Sequence, residues 1–362
     1  MHFPRTARVI HQNRRELVGN SLRSDKGSKL RLLVADYLEP RLICFRRRAM
    51  ACDFEFRFPD SYRARVNSIQ SALDLINKLE EQMSVFRDNS VISHINRRAY
   101  LEPIEIEPQL FGLLQAAVRL SHKTKQAFDI TSGTYSRYWE FLRRTGQQPL
   151  PKEIEFLKSH VGSHFLKLNA QTQTVRLGKK EVELNLGGIG KGYALDRAAG
   201  HLKKAGVYHA HIHAGFSSIY AMGNHPSGLN EGWPVAIRDP LRTKRDFAVL
   251  NLVNSGLGIS GLHEQSYIID GKFYGHIINP KSGYPSVGKL LALATAPSAA
   301  EADALSTAFF VMTLNEIRLF CEEHPTVGAL VLERNQRSSY DLHCFGPIQN
   351  WLELKGSLKK GK

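Results

Sequence analysis

At 362 residues, 42 % of them apolar and 23 % charged, the chain has the composition of a globular protein with room for a large core, which argues against wholesale disorder. Its 49 Lys and Arg against 34 Asp and Glu give a net charge of +15, a balance that invites a polyanionic partner. The excess lies at the ends: residues 1–48 hold twelve basic and four acidic side chains, Lys355 to Lys362 hold four lysines and no acid, and the remainder carries only +3, so solvated basic tails are expected and a nucleic-acid partner is not.

In chain order, residues 1–48 read as a loosely ordered N-terminal extension with brief apolar patches at Leu30 to Val34 and Leu42 to Phe45. Met1 to Asn20 has arginines but no apolar core, no small-residue cleavage site and no lipidated cysteine, which predicts a cytoplasmic protein, or an exported one if the true start lies upstream. Cys52 to Phe58 alternates Cys52, Phe54, Phe56 and Phe58 with Asp53, Glu55 and Arg57, the period of a strand. Val66, Ile69, Leu73, Ile76 and Met83 follow helical spacing, broken only by Glu80. Pro108 opens a second helix with Phe111, Leu114 and Val118 on one face, and Gln147 to Lys152 reads as a loop. Phe165 to Leu168 and Thr174 to Leu177 read as strands.

Glu181 to Leu186 reads as a strand running into Gly187-Gly-Ile-Gly-Lys-Gly192. The helix that follows carries Leu195, Ala198, Ala199 and Leu202 and ends near Gly206. Strand-like runs continue to Ala296. Ser298-Ala-Ala-Glu301 has the form of a capping box and predicts a helix through Met312. There is no repeat of solenoid length and no apolar run long enough for a membrane span. The four cysteines, Cys44, Cys52, Cys321 and Cys344, form no C-x-x-C pair, which argues against a disulfide scaffold and a cysteine zinc site. The fold class expected is α+β, with mixed or antiparallel sheets covered by helices rather than a regular βαβ series.

Several residues carry chemistry. A Gly-rich turn at a helix start brings backbone N–H groups close to a phosphate. This one is not a Walker loop, because Gly192 follows Lys191, nor a dinucleotide fingerprint, because Tyr193 stands at its last glycine. A tight structural turn is the alternative, and Lys191 is then a surface charge. Asp303 and Thr307, four apart, share one helix face and offer hard oxygens suited to Mg²⁺; alternatively the aspartate complements the helix dipole and the threonine bonds back to the helix. His209, His211 and His213 alternate on one side of a strand, about 7 Å apart, too wide for all three to hold one small ion easily. Gly215, Phe216, Ser217 and Ser218 beside them suggest a ligand loop. His276, ahead of the turn Asn279-Pro-Lys-Ser-Gly283, is either a site residue or a satisfied half-buried histidine.

Seven blocks occur in order: Met83-Ser-Val-Phe86 with Ser90 and Asn96; Ala127-Phe-Asp-Ile-Thr131; Leu184 to Asp196; His213 to Ser218; Ile259-Ser-Gly261; Gly275 to Gly283; and Glu301-Ala-Asp-Ala-Leu-Ser-Thr307. Together they resemble the FAD:protein FMN transferases, the ApbE family, over roughly Met50 to Leu332. The resemblance implies a single two-lobed catalytic unit over 49–334, an FAD-binding flavin transferase domain, with 335–362 as a C-terminal extension ending in a Lys-rich tail. It implies Mg²⁺-dependent cleavage of FAD as substrate, loss of AMP, and a phosphoester between FMN and a Thr or Ser of an acceptor protein. An FAD pyrophosphatase giving FMN and AMP, or a non-catalytic flavin binder, are the alternatives, and the oligomeric state is left open.

By the same resemblance, the carbonyl of Gly190 joins Asp303 and Thr307 as metal ligands. His276 and Lys191 are the catalytic candidates, with His276 placed to activate the acceptor hydroxyl. Met50, Phe86, Ala127, Phe128, Asp129, Asn185, Gly188, Lys191, Asp196, Gly215, Ser260, Gly261 and His276 are implied to bind FAD, with Phe86 as an aromatic platform and with Asp196 either a ligand contact or a cap on packing. The chain departs from the pattern where Ala214-Gly-Phe-Ser217 replaces a frequent Gly-Gly-Asp, where Asn185 and Asn279 replace aspartates, where Leu262-His-Glu-Gln265 replaces a Tyr- and Arg-bearing segment, and where Ala51-Cys52 replaces Gly-Thr.

Overall fold

The computed structural model describes residues 41–147, 150–228, 230–242, 244–261, 267–269, 272–335 and 339–355. The apolar patch Leu30 to Val34, most of both basic tails and Leu262 to Gln265 lie outside them.

The frame is an antiparallel sheet of eight strands: β1 (Leu42–Ala49), β2 (Cys52–Pro59), β3 (Ala210–Ala214), β4 (Ser218–Met222), β5 (Ser255–Gly261), β6 (Lys289–Ala296), β7 (Gly328–Arg334) and β8 (Tyr340–Phe345), in that spatial order. Its period-two patterning divides the core. On β6, Ala292, Ala294 and Ala296 face the cluster shared with the helices, while Leu291 and Leu293 face a second cluster. The second cluster is completed by a three-stranded sheet from Trp233–Arg238, Asp246–Leu252 and Leu352–Leu354. Small side chains on one face let a helix approach closely, and leucines on the other fill the gap between sheets.

The helical layer contains α1 (Val66–Met83), α2 (Val91–Arg98), α3 (Pro108–Lys123), α4 (Gly133–Thr145), α5 (Pro151–Lys158), α6 (Gly190–Lys204), α7 (Ala299–Val311) and α8 (Leu314–Glu323). Helix α7 is apolar on nearly every side and is buried between the sheet and its neighbours. Among the described residues no helix is long and apolar enough to cross a membrane.

The α+β architecture agrees with the sequence expectation, and four details differ. Glu181 to Leu186 forms no strand: Glu181 has φ +72°, and only Glu183 makes an isolated bridge, to Ser132. Side chains do the work of a ladder there. Asn96 bonds both the N–H and the C=O of Leu184, and Thr134 Oγ1 accepts from the Glu183 N–H and donates to the Glu181 carbonyl. Helix α5 begins at Pro151, inside the segment read as a loop, and α2 and α4 had no counterpart in the sequence reading. Ser298 caps the Glu301 N–H, but the reciprocal capping box is at Thr313 and Glu316, and α7 stops at Val311 with Met312 as its C-cap. Finally, β1 starts at Leu42 and β8 with Leu352–Leu354 joins the sheets, so ordered structure runs past both edges of the 49–334 domain read from sequence.

Met50 and Ala51 join β1 to β2 in a two-residue turn with φ of +48° and +58°. Such turns favour Asn and Gly, because left-handed backbone costs an ordinary residue about 1–2 kcal/mol. Ala51→Gly relieves that strain and gives back part of it as unfolded-state entropy. The expected result is a gain of about 1 kcal/mol and a melting temperature higher by about 2 °C. An unchanged or lower value in thermal unfolding would show an unstrained turn.

Candidate active site

Three elements converge: the start of α6, the middle of α7, and the three-residue turn between β3 and β4. Gly192 and Gly258 are among the glycines that permit it. A Cβ on Gly192 would lie 2.1 Å from the Ala299 carbonyl oxygen, and one on Gly258 of β5 would lie 2.1 Å from the Ala302 oxygen and 2.8 Å from Asp303 Cα. With no side chain at either position, α7 lies against both α6 and the sheet.

Asp303 is thereby buried, at 5 % exposure, with its carboxylate held at both ends. Oδ1 accepts from Ser218 Oγ at 2.9 Å, and Oδ2 accepts from the Gly192 N–H at 3.0 Å. Burial pushes the carboxyl above its ordinary value of 3.8, against the pull of Lys191 and these two donors. Lys191 Nζ donates to Ser217 Oγ at 2.5 Å, and its charge reaches both Asp303 and His276. Ser217 and Ser218 thus hold the lysine and the aspartate from adjacent positions.

One helical turn beyond Asp303, Thr307 Oγ1 lies 3.5 Å from Ser260 Oγ, which bonds Ser306 Oγ at 3.0 Å. A Cβ on Gly188 would stand 3.3 Å from both Thr307 Oγ1 and Phe128 Cε2, so the Gly-rich turn touches the hydroxyl and the ring together. Gly190 opens α6 over Leu186 and Met83. Buried carboxylate, hydroxyls and backbone carbonyls are hard-oxygen donors. They suit Mg²⁺ bound through one carboxylate, with its other positions left for water and substrate phosphate. Of the ligands expected from sequence, Asp303 and Thr307 lie one turn apart on α7 and could hold such an ion.

His276 is exposed and within the field of Lys191, ahead of a fixed turn in which Lys281 N–H donates to Asn279 Oδ1 and Trp139 Nε1 donates to the Gly283 carbonyl. The surrounding protein partly desolvates the ring, and Lys191 repels its charged form; both hold the imidazole below its ordinary 6.5.

Other residues read from sequence fall into two groups. Phe86 is 93 % exposed after α1, Met50 packs partly on the core, and Gly215, at φ +59°, donates its N–H to the Asp53 carbonyl in the β3–β4 turn. Ala127 and Phe128 are buried, and Gly261 ends β5 against Leu291. Three polar side chains, however, are engaged within the protein. Asp129 is buried with its oxygens accepting from Ser121, Ser163 and Thr131. Asn185 Oδ1 accepts from the Gly187 N–H and shapes the turn. Asp196 accepts from Ser298 Oγ and from the Ala299 and Ala300 N–H groups, so it caps α7. His209 lies just before β3, while His211 and His213 within it have ring centroids 5.6 Å apart. His209 accepts from the Asn224 N–H, His213 bonds the Gly215 carbonyl at 2.7 Å and faces Glu55 at 3.6 Å, and His211 Nε2 is closed off from water with no hydrogen-bond partner among the described residues.

The side-chain roles of Ser217 and Ser218 escaped sequence reasoning, which saw only a ligand loop there. Ser218 and Asp303 are 85 positions apart, and no spacing signal links them. Cys52, beside Gly215 and within the field of Lys191 and Asp303, was also missed as a neighbour of the site.

The chain matches the model of the ApbE family over residues 50–331. It is 28 % identical over 291 residues to the FAD:protein FMN transferase of Haemophilus influenzae, covering 77 % of this chain and 83 % of that protein. It is 26 % identical over 283 residues to that of Treponema pallidum, covering 75 % and 78 %. Among solved structures, its fold is similar to the ApbE protein from Thermotoga maritima (TM-score 0.76, 24 % identity, 86 % of this chain and 99 % of that one) and to the flavin transferase ApbE from Vibrio cholerae (TM-score 0.75, 22 % identity, the same coverage).

Proposed function

The chain belongs to the ApbE family, and from that premise we propose that it moves FMN from FAD to a Thr or Ser hydroxyl of an acceptor protein, with Mg²⁺ and release of AMP. The observation that carries this reading is the buried Asp303 carboxylate, held by Ser218 and Gly192 beside Lys191. A buried carboxylate raised by desolvation beside a lysine, at the mouth of a Gly-rich turn, is built for a polyanion brought with a hard cation. When bound, Mg²⁺ supplies neutralisation of pyrophosphate charge.

The chain's own residues do the rest. Lys191 binds the pyrophosphate beside the Gly-rich turn, whose Gly187, Ile189, Gly190 and Gly192 N–H groups are engaged within the protein. His276 takes the proton of the acceptor hydroxyl as its oxygen bonds the FMN phosphorus. The bond from that phosphorus to the bridging oxygen breaks, and AMP leaves with that oxygen. Incubation with FAD, Mg²⁺ and a lysate, followed by mass spectrometry, tests the reading: an FMN adduct on protein supports it, and AMP with free FMN at a rate indifferent to acceptor points to a pyrophosphatase instead.

As a base, His276 works in its neutral form. Because its protonation is shifted below 6.5, the neutral form persists to lower pH than for an ordinary histidine. The acid limb of the transfer rate is therefore expected below pH 6.5 and to vanish in His276→Gln, which should lose about 10²–10⁴-fold in rate. The same limb in the variant would remove His276 from the role.

A further inference from the structure

Phe216, in the β3–β4 turn, is 75 % exposed. Its ring adds nothing to the core, yet the turn that carries it is pinned on every side. Gly215 N–H donates to the Asp53 carbonyl at 2.9 Å, Ile259 N–H donates to the Ser217 carbonyl at 2.8 Å, and His213 holds the Gly215 carbonyl. The next two residues hold Lys191 and Asp303. The Arg238 guanidinium sits 5.5 Å from the ring centroid. An aromatic ring is thus fixed, braced by a cation and left open to water, one residue from the partner of the lysine assigned to the pyrophosphate.

The site has two ends. Along α7, Thr307 abuts Gly188 and the Phe128 ring, while Asp303 abuts Ser218 and, through Ser217 and Lys191, the turn of Phe216. A chain of contacts thus runs from the buried Phe128 ring through hard oxygens and a lysine to the turn of Phe216. A dinucleotide has the same order of parts, a ring, a pyrophosphate and a second ring. We propose that Phe216 is a specificity-determining residue whose ring stacks on the substrate ring system at the end away from Phe128. This rests on the reading of the site as an FAD site.

Titration calorimetry with FAD in EDTA, and with FMN and AMP, which have no pyrophosphate to cleave, tests it. Phe216→Ala should weaken FAD about tenfold and weaken one fragment by a similar factor, leaving the other within about twofold. Phe216→Tyr keeps the ring and should bind all three as the unaltered protein does. Because Phe216 is exposed, neither variant should shift the melting temperature. Whichever fragment weakens identifies the ring, flavin or adenine. If the unaltered protein binds FAD and Phe216→Ala stays within about twofold for all three ligands, or loses both fragments equally, the inference is overturned alone. If the unaltered protein binds no FAD even with Mg²⁺ present, the proposed function falls and this inference with it.

Discussion

Asp303→Ala should lower the rate of AMP release from FAD by about 10³-fold or more, with a much smaller change in melting temperature. The substitution removes the one carboxylate in the donor set, and with it the hard ligand that Thr307 and a backbone carbonyl cannot replace. It also leaves the Gly192 N–H and the Ser218 hydroxyl without their acceptor, at a cost of about 1–3 kcal/mol. Against that stands relief from burying a charge, so the two stability effects oppose each other. Asp303→Asn separates the roles. Its carbonyl oxygen still accepts from Ser218, but its amide group meets the Gly192 N–H donor to donor. Rates measured across a Mg²⁺ titration, beside thermal unfolding, distinguish the cases. Alanine at 303 with a rate within about tenfold of the unaltered protein would place the metal elsewhere.

Gly192→Ala should damage stability and activity together. The new Cβ would meet the Ala299 oxygen at 2.1 Å, its carbon at 2.5 Å and Ala300 Cα at 2.8 Å, all backbone of the first turn of α7. That turn cannot yield alone, since Asp196 binds its N–H groups from α6. The helices must part, and the expected cost is about 3 kcal/mol. The same displacement draws the Gly192 N–H from Asp303, and a shift near 1 Å is enough for about a 10²-fold loss in kcat/KM. Gly200 in the same helix is the control: a Cβ there meets nothing within 4 Å, and Gly200→Ala should stabilise by about 0.5–1 kcal/mol with activity intact. If the two alanine variants unfold at the same temperature, the close approach of α6 and α7 is not what organises the site.

Much of this architecture was legible in local pattern. The alternation of Phe54, Phe56 and Phe58 gives β2, the spacing from Val66 to Met83 gives α1, and Thr174 to Leu177 is a strand at the predicted bounds. The Gly-rich turn, Lys191, Asp303 and Thr307 could be singled out because each sits in a local context that narrows its chemistry. What stayed hidden depends on partners far along the chain. Glu181 to Leu186 has the apolar alternation of a strand, but apart from the Asn185 N–H, which donates to the Ile130 carbonyl, the bonds described for it go to the side chains of Asn96 and Thr134. Asp196 looks like part of a ligand signature, yet its acceptors are consumed by the start of α7. Local sequence reports periodicity and turn chemistry; it does not report which buried carboxylate is already satisfied.

The ties that make the site span great lengths of chain. Gly192 to Asp303 is 111 positions, Asp196 to Ser298 is 102, and Ser218 to Asp303 is 85. Loops of that size must close before any of these bonds forms, which favours late assembly in folding. Helix α1 and the hairpin of β1 and β2 are local and need none of these closures. Competence for the nucleotide is therefore acquired last, as the chain completes its topology, and a ligand that requires all three ties draws its binding energy against unfolding of the whole and not of one lobe. The active site in this fold doubles as its clasp.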